Sequence, residues 1–420
     1  MAEILPLRAL RYDPDRTGGL QSVVAPPYDV IDDAQLAALL QRSPYNVVAV
    51  DLPRGDEDRY ERAAQLLSKW RVEGAIVLDE SPALWAIQQD YTGPDARTRT
   101  RRGFFARVRV EEYGAGRIRP HERTHPGPRE DRLRLTRATR ANLSPIFSLY
   151  ADPTGAARAA LARATGTAPW AQTTDDDGTV NRLWRIDEPD TIASLQRTLR
   201  DAELLIADGH HRYETARVYA DEVGGEGPHR FTLMCLVALE DPGLTVFPTH
   251  RLVRDLSDDR RRALADELHR DFDAAAADAA DAGGDEGDGD SPMRIGYLSA
   301  QSTQASLLTL KDQSIADAAL ADHAEPYRRL DTAVLEALVL KGALELTDDD
   351  IDHMRGLGYA RDLDQARRLV ADGDFDAAFL MAPTPVAQVQ AVAAAGESMP
   401  PKSTYFFPKV PTGLLFNPLA

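Results

Sequence analysis

The segment ELLIADGHHRYETA, residues 203–216, constrains the fold more than any other stretch of the chain. Glu203–Ala207 reads as a short buried strand, and Asp208-Gly209 is a turn pair. From Arg212 to Gly224 the apolar spacing is helical, closed by glycine. A strand that stops at a turn and becomes a helix requires a mixed architecture, so the expected fold class is α+β, that is, mixed α/β.

The rest of the chain supports that class. LPLRALRY (5–12) and APPYDVI (25–31) read as extended, the paired prolines disfavouring helix before Tyr28. Helical spacing follows at 32–41 and 57–74, and alternation at 84–92 and 102–113 predicts paired strands. Residues 155–200 read as helix-rich. Strands are predicted at 231–240, 293–298, 305–310 and 376–385, with a short element at 250–256 and helices at 256–271, 331–340 and 364–372. DAAAADAADAGGDEGDGDS (273–291) is too rich in small and acidic residues to build a core and reads as a loop. Its acids lack the alternation that a calcium loop needs. The tail, 396–417, is apolar enough to pack back on the body. These shifts divide the chain into an N-terminal α/β region with an Arg/His-rich block (1–152), a central region with the DGHHR motif (153–272), the acidic loop (273–291) and a C-terminal α/β region with a packed tail (292–420).

The chain has 420 residues, and 67 acidic against 49 basic side chains give a net charge of -18. That surface favours solubility and disfavours nonspecific nucleic-acid binding. The single cysteine, Cys235, excludes an internal disulfide and a thiolate-rich zinc site. Lying in FTLMCLVAL, it reads as a buried, inert thiol. No run is long and apolar enough to span a bilayer, and the first residues lack the pattern of a secretion signal. The expected compartment is the cytoplasm, and the sequence leaves the oligomeric state open.

The chemistry is expected at the strand–turn–helix. Gly209 lets the chain turn and a ligand approach the backbone. The free N–H groups at the start of the next helix favour an anion. His210, His211 and Arg212 add donors, and a guanidinium binds phosphate in a bidentate way. Asp208 supplies a carboxylate able to hold Mg2+ or accept a proton. Together these are the minimum equipment for phosphoryl transfer. The plainer alternative is that Asp208 caps the helix while the histidines bond nearby backbone. A zinc site at His121 and His125, with Glu122 between them, is weaker, because HERTH has the wrong order of acid and histidine and prolines flank it. The Arg-rich block 118–152 reads either as a local anion site or as a solvated helix with paired charges.

Five blocks in order, APPYDVI (25–31), HERTHPGPREDRLRLTRATRANLSPIFSLY (121–150), ADGHHRYETA (207–216), PTHRLV (248–253) and GESMPPKSTYFFPKVPTGLLFN (396–417), resemble the prokaryotic family called domain of unknown function 1015. GHHRYETA is similar to the nucleotide-binding GCHRY segment of sulfiredoxins and to the DGHTR segment of ParB-like free serine kinases, which convert free L-serine to O-phosphoserine. The resemblance implies a ParB/sulfiredoxin-like nucleotide-binding core with additional α/β elements, in which Gly209, His210, His211 and Arg212 cradle phosphates of ATP or ADP, or of CTP. His210 stands where sulfiredoxins carry their reactive cysteine, which argues against sulfinic-acid reduction.

The kinase resemblance also implies a catalytic base, for which Asp29 and Glu122 are the candidates beside Asp208 and His210. Arg123, Arg129 and Arg132 are placed as further phosphate ligands. Asn142, Ser144, Tyr28 and Lys402, with Ser403 beside it, are placed at the substrate; Tyr28 alternatively fills the core, and Lys402 and Ser403 alternatively lie in an exposed loop. The leading expectation is a nucleotide-dependent phosphotransferase with Mg2+ and a small hydroxy amino acid. The alternatives are a nucleotide-binding regulatory switch and a phosphatase or hydrolase on the same anion cradle.

Overall fold

The computed structural model describes residues 2–113, 116–122, 126–277, 292–302 and 304–420, without the side chains of 126–128. It contains two compact units. The first is drawn from the chain up to Pro120, from the stretch ending at Leu244 and from Pro408–Ala420; the second from Thr245–Phe407 together with His121 and Glu122. Position 152/153 falls inside the first unit.

The first unit is built on nine strands: β1 (Ile4–Leu5), β2 (Leu84–Thr92), β3 (Thr98–Arg109), β4 (Ile118–Arg119), β5 (Ile146–Tyr150), β6 (Ala171–Thr174), β7 (Val180–Ile186), β8 (Leu204–Asp208) and β9 (Phe231–Ala238). Their order is β4-β8-β5-β9-β3-β2-β7-β6, with β1 also on β3. Strand β9 runs parallel to β5 and antiparallel to β3, and β8 runs antiparallel to β5. Every residue of β9 is buried, which suits an apolar run in the middle of a sheet covered on both faces. Cys235 sits there, and burial pushes its thiol up to about 12, so it is an inert core residue as expected.

The helices of this unit include α1 (Asp33–Arg42), α2 (Arg59–Val72), α3 (Pro126–Thr139), α4 (Ala156–Ala164), α5 (Pro189–Leu199) and α6 (His210–Val223). Helix α1 starts where the Asp32 carboxylate accepts from the Gln35 N–H at 2.8 Å, a cap worth about 1 kcal/mol. Ala157, Ala160 and Leu161 of α4 and Leu195 and Leu199 of α5 pack with Ile146, Met234, Leu236 and Phe104 of the sheet in one buried cluster. The hairpin β6–β7 corrects the helix-rich reading of 155–200: Val180–Ile186 pairs along its whole length with β2.

The tail closes the unit. Leu414, Leu415 and Phe416 are at most 1 % exposed, and the Phe416 ring meets Tyr12 edge to face at 5.7 Å.

The second unit contains a two-stranded antiparallel sheet, β10 (Thr245–Phe247) with a strand far along the chain, Tyr405–Phe407, and a six-stranded antiparallel sheet. The sheet comprises β11 (His250–Val253), β12 (Phe272–Ala277), β13 (Arg294–Ser299), β14 (Ala305–Leu310), β15 (Leu357–Ala360) and β16 (Ala377–Leu380), in the order β12-β14-β13-β16-β11-β15. Residues 273–277, expected to open a loop, continue β12 because they pair with Ala305–Thr309. Residues 278–291 of that expected loop lie outside the described residues. Among the described residues no helix is long and apolar enough to cross a membrane.

Candidate functional site

Strand β8 delivers Asp208 to the point where the chain turns. Gly209 follows at φ +98°, a left-handed conformation that L side chains rarely adopt. A Cβ there would lie 3.0 Å from both Cζ and Nε of Arg212, so the guanidinium lies directly against the glycine. Helix α6 then begins at His210, and the Tyr213 N–H closes the first turn on the Gly209 carbonyl at 3.0 Å. The Tyr213 hydroxyl donates to the Glu111 carbonyl at 2.8 Å and fixes the helix to the body. The N-cap is a glycine, with no side chain to take up the first N–H groups of the helix.

Asp208 is the hub. Arg212 donates through Nη2 to one carboxylate oxygen, and the Lys409 ammonium donates to the other. Arg212 is pinned a second time by Nη1 on the Pro145 carbonyl. Its Nε is buried and finds no acceptor among the described residues. Burial pushes the Asp208 carboxyl up, but Lys409 and Arg212, with His210 behind them, hold it well below the usual carboxylate range. Burial likewise opposes the Arg212 charge, and Asp208, Asp29, Tyr28 and Asp51 outweigh it. Asp208 was expected to hold a metal or take a proton; here both its oxygens are occupied by cations, and its low proton affinity makes it a poor base.

Next to Arg212 lies a cavity of about 30 Å³, lined among others by Asp51, Arg132, Asn142, Ser144 and Thr215. A volume of that order admits one water-sized polar group. Arg132 is buried, with Nη1 on the Asp51 carbonyl at 2.6 Å and Nη2 on Asp131 at 2.6 Å. The Tyr28 ring stacks on this guanidinium at 4.3 Å, and burial pushes the Tyr28 hydroxyl up to about 12. Burial raises the Asp51 carboxyl, against the opposing pull of Arg132 and Arg212.

The expected site residues therefore separate. Asp208, Gly209, His210, His211 and Arg212 share the junction, His210 buried and His211 half-buried. Arg132, Asn142 and Ser144 meet Arg212 at the cavity, and Tyr28 covers Arg132. Asn142, however, spends its amide oxygen on the Leu233 N–H at 3.1 Å and on Asn417 at 2.9 Å, which is a clasp for the tail. Asp29 is exposed, and its charge acts on Arg212 and Tyr28.

Arg129 is exposed on α3, whose outer arginines include Arg134 and Arg137, paired with Glu130 and Glu222. Arg123 and His125 lie outside the described residues. Glu122, Lys402 and Ser403 belong to the second unit. There Glu122 bridges to Met399, Lys402 is exposed at φ +58°, and the buried Ser403 hydroxyl donates to the Pro400 carbonyl at 2.7 Å. No group of three or more acidic, histidine or cysteine side chains able to hold a metal occurs among the described residues.

Two residues escape the sequence reading. Lys409 is the second lysine of the tail, and its signal was a charge between prolines in FFPKVP. Asp51 ends the apolar run NVVAVD, where a lone acid marks an unusual burial.

Fold and junction define a mixed α/β protein with a strand–turn–helix end equipped with cations. Residues 4–333 match the family described as protein of unknown function, DUF1015, and the chain belongs to that family. No curated protein matches it significantly. Among solved structures, a free serine kinase in complex with AMP is 12% identical with a TM-score of 0.36, the match covering 74% of this chain and 92% of that one. A conserved hypothetical protein from Pyrococcus furiosus is 13% identical with a TM-score of 0.36, over 74% and 95% of the two chains. SbnI with C-terminal truncation from Staphylococcus aureus is 11% identical with a TM-score of 0.36, over 74% and 87%.

Proposed function

We propose that the first unit binds the phosphates of ATP or ADP at Gly209–Arg212 and transfers a phosphoryl group to a small hydroxy amino acid, with free L-serine the first candidate. The observation that carries this reading is the Gly209–Arg212 contact. A left-handed glycine at a helix start, with a guanidinium lying against it whose Nε has no partner among the described residues, supports reading this junction as an oxyanion site. The likeness of GHHRYETA to nucleotide-binding segments supports the choice of nucleotide phosphate.

In this reading His210, His211 and the first N–H groups of α6 complete the phosphate cradle, and Asp208 orients the cations. The cavity beside Arg212 has room for one small polar group, and Ser144 and Arg132 are the candidate donors to such a group of the acceptor. The acceptor oxygen attacks the terminal phosphorus, the bond to the leaving nucleotide oxygen breaks, and the hydroxyl proton passes to a carboxylate, for which Asp29 is the candidate in this unit. The residues present do not fit Mg2+ held by Asp208, whose oxygens are both engaged, so no step is routed through a metal.

The test is incubation of the full chain with ATP, ADP or CTP and L-serine, with O-phosphoserine read by mass spectrometry. Product that disappears in Arg212→Met supports the reading. Nucleotide binding without product points to a switch, and phosphate release from O-phosphoserine without nucleotide points to a phosphatase.

A further inference from the structure

Asp208 is met by two cations, Arg212 on one carboxylate oxygen and Lys409 on the other. The two cations differ in how they are built and exposed. Arg212 is held at both ends of its fork, on Asp208 and on the Pro145 carbonyl, and its side chain is 10% exposed. Lys409 is 20% exposed, and a lysine carries a compact charge on a four-carbon stem able to rotate about its base.

That base is fixed. The Lys409 carbonyl accepts from Gln89 at 3.3 Å, and the preceding Pro408 carbonyl accepts from the buried Arg101. An ammonium at the end of such a stem, beside a carboxylate that a second cation also serves, can turn from that carboxylate toward a stronger anion. Asp208 stays compensated by Arg212 when it does.

We propose that Lys409 is a phosphate-binding residue of this site, whose ammonium moves from Asp208 to the nonbridging oxygens of a nucleoside di- or triphosphate bound at Gly209–Arg212. This rests on the nucleotide reading above and adds a ligand to it from the far end of the chain. No covalent bond changes in this step; one ion pair is exchanged for another.

The experiment is calorimetric titration of the full-length protein with ADP. Removing a charge-assisted phosphate contact is expected to weaken ADP binding about tenfold or more in Lys409→Met, and Lys409→Arg is expected to restore it to within about threefold. ADP binding by the wild type with equal affinity in Lys409→Met overturns the role of Lys409 and leaves the nucleotide reading standing. So does an arginine variant as weak as the methionine one. A wild type that binds no ADP overturns both.

Should Lys409→Met lose its cooperative melt, the wild type answers alone, through acetylation of its lysines followed by mass spectrometry. ADP is expected to slow labelling of Lys409 and leave the exposed Lys402 unchanged. An unaltered Lys409 rate overturns the proposal.

Discussion

Lys409 donates to the Asp208 carboxylate across 201 residues of sequence, so the strand–turn–helix is completed by the tail of the chain. The same tail segment supplies Phe416 to the core and Asn417 to the clasp on Asn142. The charged junction is therefore complete only with the tail in place.

Gly209→Ala tests the junction directly. The new methyl would lie 3.0 Å from the Arg212 guanidinium, on a backbone at φ +98°. Strain of about 1–3 kcal/mol is expected in urea unfolding, with the guanidinium displaced from the phosphate path. Nucleotide affinity should fall by about tenfold or more, each 1.4 kcal/mol being a factor of ten. An alanine variant with wild-type stability and wild-type ADP affinity would remove the glycine from the site.

Asn142 and Ser144, neighbours in sequence, are expected to fail differently. Asn142→Ala takes the acceptor from the Leu233 N–H and leaves Asn417 only the Phe231 carbonyl, and should cost about 1–3 kcal/mol of stability. Ser144 lines the cavity without such a clasp, so Ser144→Ala should change stability little and, under the proposed function, raise the KM for the acceptor. Thermal melts set beside steady-state kinetics separate the two. If Ser144→Ala melts early and keeps its KM, the acceptor does not use that cavity.

The contrast shows what was legible. The apolar run before Asp208 and the glycine after it located β8 and the start of α6 to within two residues, because both signals are local. Burial of Cys235 was legible for the same reason. The facing of the arginines on α3 was not: Arg132 is buried and Arg134 exposed, a choice made by Asp51 and Tyr28, which come from elsewhere in the chain. Lys402 and Lys409 look alike in the tail. Only tertiary structure places the second on Asp208 and the first on an exposed turn in the other unit. The hairpin 171–186 was hidden because its alternating residues include Asn, Arg and Gln, which weaken the period-two signal.

The tail carries a stability prediction of its own. Phe416 is fully buried against Tyr12, and its backbone pairs with Leu10. Phe416→Ala should cost about 3–5 kcal/mol, the range for removing a buried phenylalanine ring. ADP affinity measured well below the melting temperature should persist, since the ring packs on Tyr12. A loss of under about 1 kcal/mol by urea unfolding would show that the tail is not part of the core.

Asp208 and Asp51 should tilt stability in opposite directions with pH. Burial opposes the Asp208 charge, but Lys409 and Arg212 win, so its folded carboxyl releases its proton more readily than the unfolded one. Its contribution is present above the ordinary carboxylate range, about pH 4, and is lost as pH falls through the folded value, because the unfolded chain takes up the proton first. Burial outweighs Arg132 and Arg212 at Asp51, whose folded carboxyl keeps its proton longer. Its contribution is full below about pH 4 and is lost as pH rises through the raised value. Urea midpoints from pH 3 to pH 8 should therefore fall less steeply on acidification in Asp208→Asn than in the wild type. In Asp51→Asn the loss on the rising side should shrink. Three parallel curves would mean that neither carboxyl is shifted, and that the cations around Asp208 are not where the junction places them.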